Sequence, residues 1–199
     1  MSKTIDFYYD FISPASYFAL VRLKEICTRT GTTINYKPML LGGVFKAQGN
    51  TAPVTVPAKW EWIKIDFART AEYYGIPYTL NPHFIFSTVN AMRGALWAIS
   101  ENRIEEYNQA MYQAAWAEGK DLSSADVLID TLNKAGFDAD TVMQAITRPE
   151  IKQALITSTQ EAAARGVFGA PTMFVGDEIY FGQDRLDWVE RALTDQINA

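Results

Sequence analysis

An apolar run of strand character, Ile5-Asp6-Phe7-Tyr8-Tyr9-Asp10-Phe11, leads almost directly into Ser13-Pro14, a sequence that starts helices. Pro14 suits the first helical position, because the N–H it lacks would have no partner there. Tyr17, Leu20, Val21 and Ile26 then recur at roughly helical spacing as far as Thr28, and Gly31 is placed to end the helix. Thr33-Ile34-Asn35-Tyr36 alternates and reads as a second strand. Two strands joined by a crossover helix lie parallel, so this segment predicts a βαβ unit and an α/β fold.

The middle of the chain has a different character. From Leu40 to Pro57, Gly42-Gly43, Gly49-Asn50 and Pro53 interrupt any period, which predicts a long loop, and long loops in compact domains are often functional. Helical patterns follow at 58–74, 86–101, 103–117, 123–135, 138–147 and 149–165, with turn signals at Gly75-Ile76-Pro77, Asn81-Pro82 and Gly136. Strand character then returns. Gly169-Ala170-Pro171 introduces Thr172-Met173-Phe174-Val175, Gly176-Asp177 reads as a hairpin turn, and Ile179-Tyr180-Phe181 completes the pair. Asp184 is a suitable N-cap for a last helix reaching Thr194.

Composition narrows the function. A net charge of -5 and a pI near 4.9 argue against a nucleic-acid surface. The start lacks the layout of a signal peptide, the end is no peroxisomal or retention signal, and no apolar run is long enough to span a membrane. A cytoplasmic protein is expected. Cys27, the single cysteine, forms no intrachain disulfide and reads as a small buried hydrophobe. His83, the single histidine, is a candidate base beside Asn81-Pro82, though a surface or capping role suits it better. No His, Cys and carboxylate cluster has metal-ligand spacing, so no metal is expected.

Ser13-Pro14-Ala15-Ser16 occupies the strand-to-helix position at which redox proteins carry Cys-x-x-Cys. Hydroxyls there cannot exchange disulfides, but they can hydrogen-bond a thiolate that another molecule supplies, and glutathione is the economical choice. Ser13 also reads as a plain N-cap, and Ser16 as a helix or packing hydroxyl.

The wider pattern resembles a known family. Asp6 to Tyr17, Leu41-Gly42-Gly43-Val44-Phe45-Lys46, Gly49-Asn50, Pro57-Ala58-Lys59, Met92-Arg93, Val167 to Thr172 and Phe181-Gly182-Gln183-Asp184-Arg185-Leu186 are similar, in order, to the 2-hydroxychromene-2-carboxylate isomerases and kappa-class glutathione transferases. The resemblance implies a DsbA-like thioredoxin fold, with residues 1–45 and 165–199 as the thioredoxin domain and 46–164 as an all-helical insertion after the second strand. It implies glutathione as cofactor, with Ser13 at the sulfur and so catalytic, and a cis Pro171 beside Ala170, whose backbone would pair with the cysteinyl unit. Gln183 and Asp184 would take the γ-glutamyl end, with Arg185 supporting them or facing solvent. Asn50 and Lys59 would take the other end, Lys59 meeting the glycyl carboxylate.

Two reactions then compete: reversible thiolate addition to a conjugated aromatic substrate, which isomerises it, and attack on another electrophile by a transferase or peroxidase. A redox-dead binding module that holds peptides at the Pro171 edge is the alternative of another class. Trp60 or Trp62 would line an aromatic pocket, and Arg93 would hold a carboxylate of substrate or protein. His83-Phe84-Ile85-Phe86-Ser87-Thr88 is more apolar than the matching segment of the naphthalene-pathway isomerases, which puts a chromene carboxylate in doubt. With Trp97 and Trp116 on helices that need cover, a homodimer is expected.

Overall fold

A computed structural model describes residues 3–198 of the chain, and side chains over 4–194. Met1, Ser2 and Ala199, at the outer bounds of the expected thioredoxin domain, lie outside the described residues. The first strand β1 (Lys3–Tyr9), helix α1 (Pro14–Thr30) and strand β2 (Thr32–Pro38) form the expected parallel βαβ unit. Pro14 is at the start of α1, and Gly31 ends it in the left-handed conformation at φ 64°. Strand β3 (Thr172–Val175) runs antiparallel to β1, and β4 (Glu178–Phe181) pairs with β3 through the Gly176-Asp177 turn. The sheet order is β2-β1-β3-β4. A last helix, α9 (Leu186–Asn198), packs on α1 and β3.

Between β2 and β3 the chain is helical: α2 (Leu41–Gln48), α3 (Pro57–Tyr74), α4 (Val89–Ser100), α5 (Ile104–Tyr112), α6 (Ala125–Lys134), α7 (Ala139–Ala145) and α8 (Pro149–Ala164). No described helix is long and apolar enough to cross a membrane.

Both sheet faces are covered, which follows from the side-chain alternation of β1. Ile5, Phe7 and Tyr9 enter the main core, which continues through Met111 and Trp116 of the helical segment. Tyr8 enters a second cluster with Met39, Val44, Ala162 and Phe174, roofed by α2 and α8. Trp97 and Trp116 are buried within the chain. The indole N–H of Trp116 donates to the Phe11 carbonyl at 2.7 Å, tying the helical segment to the end of β1.

Three local expectations are corrected. Leu40 to Pro57 is mostly helical, as α2 and a single 3-10 turn at Pro53–Thr55. Gly42-Gly43 does not break α2, because its first N–H groups are satisfied from afar: Leu41 by the Asp10 carboxylate at 2.8 Å and Leu40 by the Thr159 hydroxyl at 3.0 Å. Gly43 is needed for close approach, since a Cβ there would lie 2.8 Å from the Thr159 methyl group. The 103–117 helix ends in a π-helical turn over Gln113–Ala117. Finally, Asp184 does not cap α9. It lies inside a 3-10 turn, Gln183–Arg185, preceded by Gly182 at φ 99°, and bonds Arg185 at 2.7 Å.

Candidate active site

Ser13 is both the N-cap of α1 and part of a cavity wall. Its hydroxyl oxygen accepts from the Ser16 N–H at 3.2 Å, and its proton is donated to the Ala170 carbonyl at 3.0 Å. Ala170 precedes Pro171 through a cis peptide bond, so the helix start and the cis-proline edge face each other. Ser13 is only 6% exposed. Ser16 is fully buried behind it and does not line the cavity.

The cavity has a volume of about 530 Å³. Ser13, Asn50, Lys59 and Ala170 all line it, although they come from four separate segments. The Asn50 amide donates to the Phe168 carbonyl at 3.0 Å, which holds the end of α2 to the chain before Pro171. Opposite stand Trp60 and Phe84, stacked with ring centres 5.2 Å apart and planes 17° apart. Phe45 and Ile63 extend the apolar wall, Ile85 continues it after a cis Phe84-Ile85 peptide, and Phe181 closes the far side over Gly169. A Cβ on Gly169 would lie 2.5 Å from the Phe181 ring.

Gln183 and Asp184 line a second cleft of about 620 Å³ against Arg69, Tyr73 and Tyr74 of α3, together with Thr70 and Glu72. Arg22 of α1 donates to the Gln183 carbonyl at 2.9 Å, while the Gln183 side-chain oxygen is buried without a partner. Pro171 is buried beneath the cavity edge, and its carbonyl accepts from the Gly182 N–H at 3.0 Å. Arg185 is exposed and paired with Asp184.

Several candidates lie away from this cavity. His83 is exposed and does not line it. Arg93 does not line it either; its nearest polar partner is Asn90 at 3.5 Å, and its Nε is buried without a partner. Trp62 is exposed. Cys27 is buried, with a thiol pKa pushed up to about 11 by burial and by nearby Glu105, so it is inert at neutral pH.

Asp10 is a residue that local sequence reasoning missed. It is 2% exposed, and its carboxylate accepts from Thr88 Oγ1 at 2.6 Å, the Leu41 N–H at 2.8 Å and the Ile12 N–H at 3.2 Å. Its own carbonyl accepts from the Ser13 N–H at 3.0 Å. One side chain therefore joins the start of α1, the start of α2 and the start of α4, which follows the Phe84-Ile85 wall. Burial raises its pKa, while the bonds from Thr88 and the backbone oppose that rise. The only local signal was an acidic residue inside an apolar run, because Leu41 and Thr88 lie 31 and 78 positions away.

A family model, the DSBA-like thioredoxin domain, matches residues 4–194. The chain belongs to this family. Among its DsbA-like relatives, the 2-hydroxychromene-2-carboxylate isomerase of Sphingobium xenophagum is 38% identical over 98% of this chain and 100% of its own length. Glutathione S-transferase kappa 2 of Caenorhabditis elegans is 28% identical over 94% of this chain and 90% of its own. The solved structure of a 2-hydroxychromene-2-carboxylate isomerase superposes with a TM-score of 0.90 at 30% identity, covering 98% of this chain and 96% of that one. Within the DsbA-like family the chain is thus an enzyme of the isomerase and glutathione transferase kind.

Proposed function

We propose that this enzyme binds glutathione across the Ser13 cavity and the adjoining Gln183 cleft, and uses it to isomerise a conjugated aromatic substrate. The observation that carries this reading is the Ser13 hydroxyl poised against the Ala170 carbonyl at 3.0 Å. That pair matches a cysteinyl unit: the carbonyl can accept its N–H, as an added strand would, while the freed hydroxyl proton turns to its sulfur. When bound, glutathione supplies a thiol whose deprotonated form adds reversibly to a conjugated double bond, allowing rotation before the addition reverses.

The chain's task is to favour the ionised sulfur. An unperturbed thiol titrates near ~8.5, and lowering that to about 6.5 requires roughly 2.7 kcal/mol. The Ser13 hydroxyl can supply ~1.5–3 kcal/mol as a hydrogen bond to a charged acceptor. The start of α1 adds ~0.3–1 kcal/mol, and ~2 in a partly buried site. The two suffice without a cation beside the sulfur. The Ser16 N–H holds one lone pair of the Ser13 oxygen, leaving its proton to point outward.

The other groups fit the rest of the tripeptide. Lys59 and Asn50 suit the glycyl end. The unpartnered Gln183 oxygen and the Asp184 carboxylate suit the γ-glutamyl ammonium, with Arg185 steadying Asp184. The apolar aromatic wall favours a ring-bearing small molecule over a peptide, and so an enzyme over a binding module. A kappa-type transfer or peroxidase reaction would use the same Ser13. We place the enzyme in aromatic catabolism in the cytoplasm and treat residues 46–164 as an insertion into the thioredoxin domain.

We also expect a homodimer, on a different ground from the buried Trp97 and Trp116. Trp62, Ile65 and Tyr73 stand exposed at 59%, 52% and 81% along α3. Sedimentation that finds a monomer at micromolar concentration would remove this part alone.

The deciding experiment is a calorimetric titration with glutathione, paired with a pH titration of the bound thiolate's ultraviolet absorbance. Saturable binding with a thiol pKa below its free value is expected. Absent binding would remove the glutathione reading.

A further inference from the structure

We infer that the second substrate of this site is a flat, uncharged aryl enone, seated against Trp60, Phe84 and Ile85, rather than a substrate carrying a carboxylate beside its reacting bond. The inference deepens the glutathione reading and rests on it for the occupancy of Lys59.

The first ground is charge. Among the residues lining the Ser13 cavity, Lys59 is the single ionisable side chain. Arg93 and His83 do not line it. With the glycyl carboxylate of glutathione on Lys59, and the Ser13 hydroxyl and the start of α1 engaged by the ionised sulfur, a second carboxylate would have no cation or free donor to meet and would lie beside a like charge. A buried charge without a partner is strongly disfavoured.

The second ground is position. Reaction requires the conjugated bond to lie beside the sulfur at Ser13, which is 6% exposed. In an aryl enone built on a 2-oxo acid, the carboxylate is attached to the carbonyl of the conjugated system. It is therefore held within a few bonds of the sulfur at Ser13. A methyl ketone in the same place asks nothing of the wall except apolar contact.

The third ground is shape. Trp60 and Phe84 stack on each other, ring centres 5.2 Å and planes 17° apart, and with Ile63 and Phe45 they give the cavity an apolar, largely aromatic flank. An aryl ring gains apolar and edge or face contacts against such a flank, and a charged group gains none. Addition of the glutathione sulfur to the β-carbon sends the displaced electron pair to the ketone oxygen as an enolate. Rotation follows, and return of that pair expels the sulfur. No oxidant or further reactant is consumed.

The test uses two unreactive analogues with one skeleton, neutral 4-phenylbutan-2-one and anionic 2-oxo-4-phenylbutanoate. Their dissociation constants are measured by calorimetry on the whole protein saturated with S-methylglutathione. Turnover of the matching enones, benzylideneacetone and benzylidenepyruvate, with glutathione is the second readout. The neutral member of each pair should be favoured at least tenfold. Ile85→Arg, at a position 63% exposed and able to accept a charge, should shift the ratio towards the anion by at least fivefold. Equal or better binding of the anion by the wild-type protein would overturn the inference. If S-methylglutathione fails to bind, Lys59 is free to meet an anion, and the glutathione reading and the substrate inference fall together; binding of S-methylglutathione with parity between the two analogues overturns the substrate inference alone.

Discussion

The Ser13 hydroxyl donates to the Ala170 carbonyl at 3.0 Å, joining residues 157 positions apart. The bond spans the gap between the start of α1 and the cis-proline edge, and it sets a hydrogen-bond donor against an acceptor at the cavity floor. The same oxygen caps α1 by accepting from Ser16. A single side chain therefore serves the fold and the site, and its removal should register in both.

Ser13→Ala should raise the pKa of enzyme-bound glutathione by about 1–2 units, the equivalent of ~1.5–3 kcal/mol for a lost charged hydrogen bond. Turnover at neutral pH should fall further than binding and recover in part as pH rises. Lost capping should also lower stability by ~1 kcal/mol, seen in urea denaturation. Superimposable thiolate titrations would leave Ser13 as a cap alone.

Asp184→Ala should weaken glutathione binding by about tenfold or more, and by more than Ser13→Ala does, because it removes a charge-assisted contact present in the resting complex. Calorimetry on both variants decides the order. Equal losses would move the γ-glutamyl end away from the Gln183 cleft.

Asp10 carries a pH signature. Its folded-state pKa is raised by burial, so the native state holds this proton more tightly than the unfolded chain does. The stability tied to that proton is fully present below the unfolded carboxyl pKa of about 3.9, and it is lost as pH rises through the folded value. Asp10→Asn cannot titrate, so the advantage of wild type over the variant should be largest in acid and narrow upward from about pH 4. Urea unfolding of both proteins across that range measures it. A constant difference would mean that Asp10 titrates normally. At any pH the variant should also weaken ligand binding, since Leu41, Ile12 and Thr88 share the carboxylate.

Cys27 should be a bystander. With its thiol pushed up to about 11 and buried, the native protein should resist thiol-modifying reagents at pH 8 and react once unfolded. Cys27→Ala should keep its turnover and lose ~1 kcal/mol of stability through the small cavity left behind. Loss of turnover would place an enzyme thiol in the mechanism and displace Ser13 from it.

The elements at both ends of the chain were legible because local chemistry writes them. Pro14 and Gly31 bracket α1, β1 alternates its faces, and Gly176-Asp177 turns the β3–β4 hairpin. The Ser13, Ala170, Asn50 and Lys59 group was reached through resemblance, and the fold brings all four to one cavity. Tertiary structure alone decided that α2 survives Gly42-Gly43, because its cap comes from Asp10 and its packing space from Thr159. It alone separated Gln183 and Asp184 into their own cleft, left His83 and Arg93 outside the cavity and buried Trp97 and Trp116 within the chain. Helix starts, turns and alternation depend on neighbours within a few positions, which a sequence displays. Caps supplied across 31 residues and walls assembled from four segments depend on which surfaces meet, and only the packed chain determines that.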